Sequence, residues 1–376
     1  MRKLRVGFTV QINKKDDSFW VNGIKQNAVT LQECFSLCPN VEASYLVNLG
    51  SMHDYEGTAW APFADKIINF EKCLEELDIL VTATVTPSAE MLVKLQEKNI
   101  VLVKHIMGNE YQMFNEQMLF SEEQTNTYKK RRNHKAVWIS PHLFDQNKDF
   151  FEVICECPAY IGPYIWTHKF IDKHVESYKA QHGGTGLYEP TGNKEKKISA
   201  FEPNINIIKT SLTPIIAAEK MFSKAPELIE KFSMFGTDRV KKKKILIEFA
   251  TDLNVYKNKK LFFEARYPIV WSLFKHTDIV LSHQRDLALN YLYFDAAWLG
   301  VPVVHNGHMV KELGYYYEGW DAEQASDLLI KIAKEFDSSE DLRRKYLDES
   351  RRIISQYLPD HPRNVNGYAE LLEKVI

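Results

Sequence analysis

Residues 277–306 read TDIVLSHQRDLALNYLYFDAAWLGVPVVHN. An apolar strand, Ile279 to Leu281, ends in Ser282-His283-Gln284. A loop leads to a helix beginning near Asn290. That helix stops at Gly300, the residue type that tolerates the left-handed turn closing a helix. A second apolar strand then ends in His305-Asn306. A strand, loop and helix in this order form half of a parallel βαβ unit. The start of such a helix offers unpaired N–H groups and the positive end of its dipole, which suit a phosphate. His283, Gln284 and Asn290 stand where a diphosphate or a sugar would lie. The same residues also fit an ordinary βαβ unit with a polar loop.

The alternation repeats on both sides of this segment. Toward the N-terminus, strands are expected at Leu4–Val10, Ala43–Asn48, Asp78–Val85 and Ile100–Ile106, with short ones at Val137–Ser140 and Ala159–Ile161. Helices are expected at Gly23–Leu37, Ile67–Leu77 and Ser88–Lys98. In the second half the expected strands are Ile198–Glu202, Lys244–Phe249, Leu261–Glu264, Ile279–Ser282 and Val301–Val304. The helices are Thr213–Lys224, Tyr267–Lys275, Asn290–Leu299, Ala322–Phe336, Asp341–Tyr357 and Val365–Ile376. Between the halves, residues 168–197 contain KAQHGGTGLYEPTGNKEKK, which is polar and without period and reads as a linker. The expected fold class is α/β: two Rossmann-like, doubly wound domains facing across a cleft. The boundaries are 1–180 and 197–358, with a last helix at 360–376 packing back on the first domain. Ligands of such sheets gather at the carboxyl ends of the strands.

Composition agrees with a folded, soluble chain. Of 376 residues, 45% are hydrophobic and 26% charged, which excludes a disordered chain. Lys+Arg 48 against Asp+Glu 50 gives a net charge of −2, so no global basic field draws nucleic acid. No apolar run is long enough for a membrane span, and the start lacks the apolar core of a signal peptide, so a cytoplasmic location is expected. The five cysteines are odd in number and irregular in spacing, and read as free thiols.

The central segment resembles the nucleotide-sugar-binding core of GT-B-fold glycosyltransferases. Many retaining members carry two Glu with seven residues between them, the second five residues before a Gly. Here Asp295 lies five residues before Gly300, and the resemblance implies that it binds the ribose hydroxyls. The first Glu is replaced by Leu287, which leaves His283, Gln284 or Asp286 to contact the sugar. After the strand Ile198–Glu202, the family often places Arg and Lys five residues apart on the diphosphate. These positions are Asn204 and Lys209, and Lys209 is the expected phosphate contact. The stretch Leu261–Pro268 matches the turn that meets the nucleobase, with the backbone near Arg266 reading its edge.

The chain also resembles, over nearly its whole length, a bacterial family of GT-B-like proteins of unknown function. Ser282-His283-Gln284, Asn290-Tyr291-Leu292-Tyr293, Pro302–Asn306 and Leu313–Tyr317 carry that likeness. So do Trp20–Asn27, Gly108-Asn109 and Glu202-Pro203-Asn204.

Together these readings imply a metal-independent hexosyl- or pentosyltransferase without a cofactor, its donor a nucleotide-diphospho sugar such as a UDP-sugar. The expected donor set is Asn204, Lys209, Arg266, His283, Gln284, Asn290, Tyr291, Asp295 and Asn306. In the first domain, Gly23, Gln26, Asn27, Gly108, Asn109 and His142 are expected at the cleft. His105 and Glu110 are candidate bases for the acceptor hydroxyl, which must lie within hydrogen-bond reach. Tyr160, Tyr164 and Trp166 could stack on a sugar or fill a core.

The acceptor is left open between a surface glycan or glycolipid and a hydroxymethylated DNA base. Basic runs support the latter: Lys129-Lys130-Arg131-Arg132 with Lys135, Arg239 with Lys241–Lys244, and Lys257 with Lys259 and Lys260. A sugar-nucleotide epimerase of the same fold and a non-catalytic sugar-nucleotide binder are the other readings.

Overall fold

A computed structural model describes residues 2–17, 23–120 and 133–376. Trp20, Val21 and Asn22 of the expected N-terminal motif lie outside the described residues, as do Lys129, Lys130, Arg131 and Arg132.

The chain divides into two compact units, residues 1–167 with 356–376, and residues 168–355. Unit 1 contains β1 (Leu4–Val10), α1 (Gly23–Ser36), β2 (Val41–Asn48), β3 (Ile67–Asn69), α2 (Phe70–Glu76), β4 (Ile79–Thr82) and α3 (Ala89–Glu97). It continues with β5 (Val101–Ile106), α4 (Glu110–Phe120), β6 (Ala136–Ile139), α5 (Phe144–Cys155) and β7 (Ala159–Ile161). Unit 2 opens with α6 (Lys169–His182), β8 (Lys196–Ala200), α7 (Leu212–Lys224), β9 (Ile229–Met234), α8 (Lys244–Asp252), α9 (Asn254–Lys257) and β10 (Leu261–Phe263). It continues with α10 (Ile269–His276), β11 (Ile279–Ser282), α11 (Tyr291–Trp298), β12 (Val303–His305), β13 (Tyr315–Tyr316), α12 (Ala322–Glu335) and α13 (Glu340–Ser355). The last helix, α14 (Pro362–Glu373), belongs to unit 1, where it meets α1.

Among the described residues, unit 1 holds a seven-stranded sheet in the order β3-β2-β1-β4-β5-β6-β7. Unit 2 holds a six-stranded one in the order β10-β9-β8-β11-β12-β13. The pairings are parallel in both. The central strands bury apolar side chains: Val6, Phe8, Val10, Leu80 and Val81 in unit 1, Ile198, Ala200, Val280 and Leu281 in unit 2. Each buried Val, Leu, Ile or Phe among them contributes about 1.5–3 kcal/mol.

One device occurs in both units. The Asp78 carboxylate accepts from the Arg5 backbone N–H at 2.8 Å, and Asp278 accepts from Lys197 N–H at 2.8 Å. The return bonds, Asp78 N–H to Arg5 O and Asp278 N–H to Lys197 O, are 3.0 and 2.7 Å. Each clamp fixes the entry of the fourth strand against the first, and so the level at which the opposite, carboxyl ends emerge.

Four expectations are corrected. Residues 67–69 pair with β2 as a strand before the helix starts, because Asn69 caps α2 by accepting from Lys72 N–H at 2.8 Å. Residues 169–182 form α6 and not a linker: Phe170, Ile171 and Val175 are buried, and the helix meets α10. The unit break accordingly falls at 167/168, ahead of residue 180. Residues 244–252 are helical, since a short apolar run does not by itself distinguish helix from strand. The strand beside β8 is β9, whose Glu230 and Lys231 mask its apolar pattern.

Candidate functional site

The carboxyl edge of the second sheet is organised around Glu202, two residues past β8. The side chain is fully buried. One oxygen accepts from Ser282 Oγ–H at 2.6 Å and from His283 N–H at 3.2 Å. The other accepts from Gln284 Nε2–H at 2.5 Å. A single carboxylate thus ties the exit of β8 to the exit of β11. Burial pushes its pKa up to about 7, opposed by Ser282, by the Lys209 ammonium, by the His283 N–H and by Gln284. Burial lowers the pKa of half-buried Lys209, and the Glu202 charge counters that shift.

Asn204 governs the loop that carries Lys209. Its φ is +52°, a left-handed conformation that asparagine tolerates better than most residues. Its amide donates to Glu202 O at 2.6 Å and to Ser211 Oγ at 2.9 Å, and accepts from Ser211 N–H at 2.9 Å. Its own N–H donates to Lys209 O at 3.0 Å. Asn204 therefore holds the loop in shape, a correction to its expected role as a phosphate ligand.

A second brace comes from Asn306, just past β12. It accepts from Gln284 N–H at 2.9 Å and donates to Gln284 O at 2.9 Å and Gly319 O at 3.1 Å. His305 is buried. It donates through Nε2 to Leu313 O at 2.5 Å, and its Nδ1 accepts from Gly307 N–H at 3.0 Å. Burial lowers its pKa to about 4. Gly307 is required here by space: an added Cβ would stand 2.6 Å from Ala288 O and 2.9 Å from the Tyr293 ring. Gly307→Ala is expected to lower the stability of unit 2 by about 1–3 kcal/mol, as overpacking does. A melting curve unchanged from wild type would contradict this.

Asn290 caps α11, accepting from Leu292 N–H at 3.3 Å, and Gly300 follows at φ +80°. Tyr291 and Asp295 are half-buried on that helix. The helix N-terminus thus opens at the same sheet edge as Lys209 and the 282–284 segment. Three residues past β10, Arg266 is exposed, and its N–H donates to Asp238 at 3.2 Å. Beside it, Phe201 stacks on Phe235 at 4.9 Å, and Phe235 meets Tyr267 edge-on at 6.1 Å.

In unit 1, Gly23 opens α1 and is exposed, Gln26 is half-buried and Asn27 buried. Gly108 is exposed after β5. Asn109 caps α4, accepting from Gln112 N–H at 3.1 Å and from Asn147 at 3.2 Å, and donates to Gln146. Glu110 is half-buried at the start of that helix. His142 packs edge-on to Tyr164 at 5.2 Å. His105 is a core residue, 2% exposed. Its Nε2 bonds the Tyr368 hydroxyl at 3.2 Å, and burial drops its pKa to about 3. The expectation that it deprotonates an acceptor is corrected: β5 is buried on both faces, so this imidazole packs inward. Trp166 is likewise buried.

Sequence reasoning gave no role to Glu202, Tyr317 or Trp320. Tyr317 bonds His283 Nδ1 at 2.9 Å and donates to Ser282 O at 3.2 Å. Trp320 lies on His283 with ring centroids 4.4 Å apart. Among the described residues, no three His, Cys, Asp or Glu are grouped to hold a metal ion. Nor is any helix among them long and apolar enough to cross a membrane.

The fold has many solved counterparts. HepE from Anabaena, solved with UDP-glucose, aligns at TM-score 0.54 with 11% identity, over 98% of this chain and 99% of that one. Sucrose-phosphate synthase from Thermosynechococcus elongatus aligns at 0.55 with 10% identity, over 99% of each chain. The α,α-trehalose 6-phosphate synthase from Burkholderia multivorans aligns at 0.52 with 10% identity, over 100% of this chain and 98% of that one. These likenesses establish the GT-B fold. No curated protein matches by sequence. The model of the family described as "Protein of unknown function (DUF2827)" matches residues 6–372, and the chain belongs to that family.

Proposed function

We propose that this chain is a glycosyltransferase that moves a sugar from a nucleotide-diphospho sugar to a hydroxyl acceptor. Unit 2 holds the donor and unit 1 the acceptor. The observation that carries the reading is the carboxyl edge of the second sheet. There a buried carboxylate fixes the 282–284 segment beside a lysine and a capped helix N-terminus. Lys209 and the N-terminus of α11 meet the diphosphate, and catalysis is positioning plus stabilisation of the leaving charge. The fold likeness to HepE, solved with UDP-glucose and with UDP and glucose, supports a UDP-hexose as donor. A glycan or glycolipid hydroxyl is the proposed acceptor.

The test is a thermal-shift and hydrolysis panel of UDP-, GDP-, ADP- and CMP-sugars, because a ligand of the folded state raises its melting temperature. One nucleotide class is expected to stabilise the protein and to be hydrolysed slowly. Neither binding nor hydrolysis of any member overturns the reading. Conversion of the donor without acceptor into an isomer identifies an epimerase instead. Because the charge is assigned to Lys209 and a helix N-terminus, turnover is expected to persist in excess EDTA. Loss of turnover that Mg²⁺ or Mn²⁺ restores would refute metal independence.

A further inference from the structure

We propose that His283 and Gln284 form a pair of hydrogen-bond acceptors for two hydroxyl groups of the nucleotide sugar, covered by Trp320 until the ligand arrives. This rests on the donor-site reading above and adds the groups that recognise hydroxyls rather than phosphate.

The tautomer of His283 follows from Tyr317. That phenol contacts His283 Nδ1 at 2.9 Å and the Ser282 carbonyl at 3.2 Å. It has one proton to give, and a carbonyl only accepts. Both contacts are satisfied when Tyr317 donates to Ser282 and accepts from Nδ1–H. The neutral ring therefore carries its proton on Nδ1 and a bare lone pair on Nε2.

The orientation of Gln284 follows from Glu202 in the same way. A carboxylate oxygen 2.5 Å away requires the amide nitrogen to face it. The amide oxygen is then turned away, and Gln284 Oε1 too is an acceptor.

His283 and Gln284 are each 2% exposed. Neither Nε2 of the first nor Oε1 of the second is reached by a donor among the described residues. Buried acceptors without donors are uncommon, because each such group costs about 1–3 kcal/mol. Their complement is a ligand carrying O–H donors. A phosphate, which presents only acceptors when ionised, is the wrong partner. The two hydroxyls belong either to the transferred sugar or to the ribose.

The cover is Trp320. At 59% exposure it is a large apolar side chain left in solvent, yet its ring rests on His283 at a centroid distance of 4.4 Å. The Arg285 guanidinium lies 5.9 Å from the same ring. It follows Gly319, whose φ is +50°, where an added Cβ would meet nothing. With more than half of its surface in solvent, the indole can swing off without disturbing the core.

Isothermal titration of the full chain with UDP-, GDP- and ADP-glucose, and with the free diphosphates, provides the test. His283→Phe keeps a ring under Trp320 and removes the acceptor. It is expected to weaken donor binding about 10-fold. If the hydroxyls are those of the transferred sugar, the affinity of the free diphosphate is unchanged in this variant. If they are those of the ribose, the free diphosphate weakens equally, and the 2′,3′-dideoxy diphosphate binds wild type and variant alike. Wild-type affinity of His283→Phe for every nucleotide overturns the inference and leaves the donor site standing. No binding of any nucleotide by wild type overturns both.

Two readouts do not depend on that variant folding. Tyr317→Phe removes the hydroxyl that fixes the tautomer. It should move the ¹⁵N shifts of the His283 ring toward the other tautomer, and unmoved shifts contradict the assignment. The donor sugar should change Trp fluorescence in wild type and not in Trp320→Phe. An equal change in both shows that Trp320 is not the cover.

Discussion

Lys209→Ala is expected to lower kcat/KM about 100- to 1,000-fold, the usual effect of removing one group that stabilises leaving-group charge. The cause lies in how the lysine is held. Asn204 pins both ends of the loop through Lys209 O and Ser211. Burial lowers the lysine's pKa, and the Glu202 carboxylate opposes that shift. The charge is therefore positioned and desolvated, where it acts more strongly than in water. Steady-state kinetics with the donor identified by the panel, together with calorimetry, check this. Unchanged donor affinity with unchanged kcat would refute the phosphate assignment. Removing Lys209 also leaves Glu202 without its nearby cation. A Glu202→Gln/Lys209→Ala double variant separates the two effects. If Lys209 served only to balance Glu202, the double variant would recover most of the activity. If the ammonium meets the diphosphate, it would not.

How much of this was legible in the sequence depends on which signal each residue carries. The α/β alternation was legible because buried parallel strands are uninterrupted apolar runs, and β11, α11 and the Gly300 stop read directly. β9 was not, because Glu230 and Lys231 occupy a half-buried stretch of an otherwise central strand. His283, Gln284 and Asn306 were picked out by their position after strands and Lys209 by the family resemblance, and the structure gathers them at one sheet edge. Glu202 was read only as part of a strand and of the family likeness, with no role of its own, because a glutamate after a strand ordinarily faces water. Only the fold shows that three donors from 282–284 surround it. Tyr317 and Trp320 follow the two-residue β13, too short to carry a pattern. His105 misled for the opposite reason. A histidine near a strand end resembles a base in sequence, whereas its partner, Tyr368, lies 263 residues away.

Glu202→Gln is expected to make unit 2 markedly more sensitive to acid than wild type. Two buried neutral histidines of that unit, His283 and His305, have pKa values pushed down to about 4 from an ordinary 6.5. The unfolded chain takes up their protons first, so the stability they confer is complete above pH 6.5 and drains away as the pH falls toward 4. By pH 5 each costs about 2 kcal/mol. Glu202 has the opposite sign. Its carboxyl is pushed up to about 7 from 4.5, so the folded state binds its proton first. Its burial penalty is greatest above pH 7 and is relieved as the pH falls through 7 toward 4.5, which returns about 2 kcal/mol by pH 5. In wild type, then, one carboxyl offsets about one histidine in unit 2. In Glu202→Gln that offset is gone, and the full loss of about 4 kcal/mol between pH 7.5 and 5 is exposed. The difference should be visible as a steeper decline of the unit 2 melting transition with acid in the variant. Parallel pH profiles for the two proteins would mean that Glu202 is ionised over the whole range. In that case the carboxylate is held by Lys209 and its three donors more strongly than burial opposes it, and the site keeps its negative charge over that range.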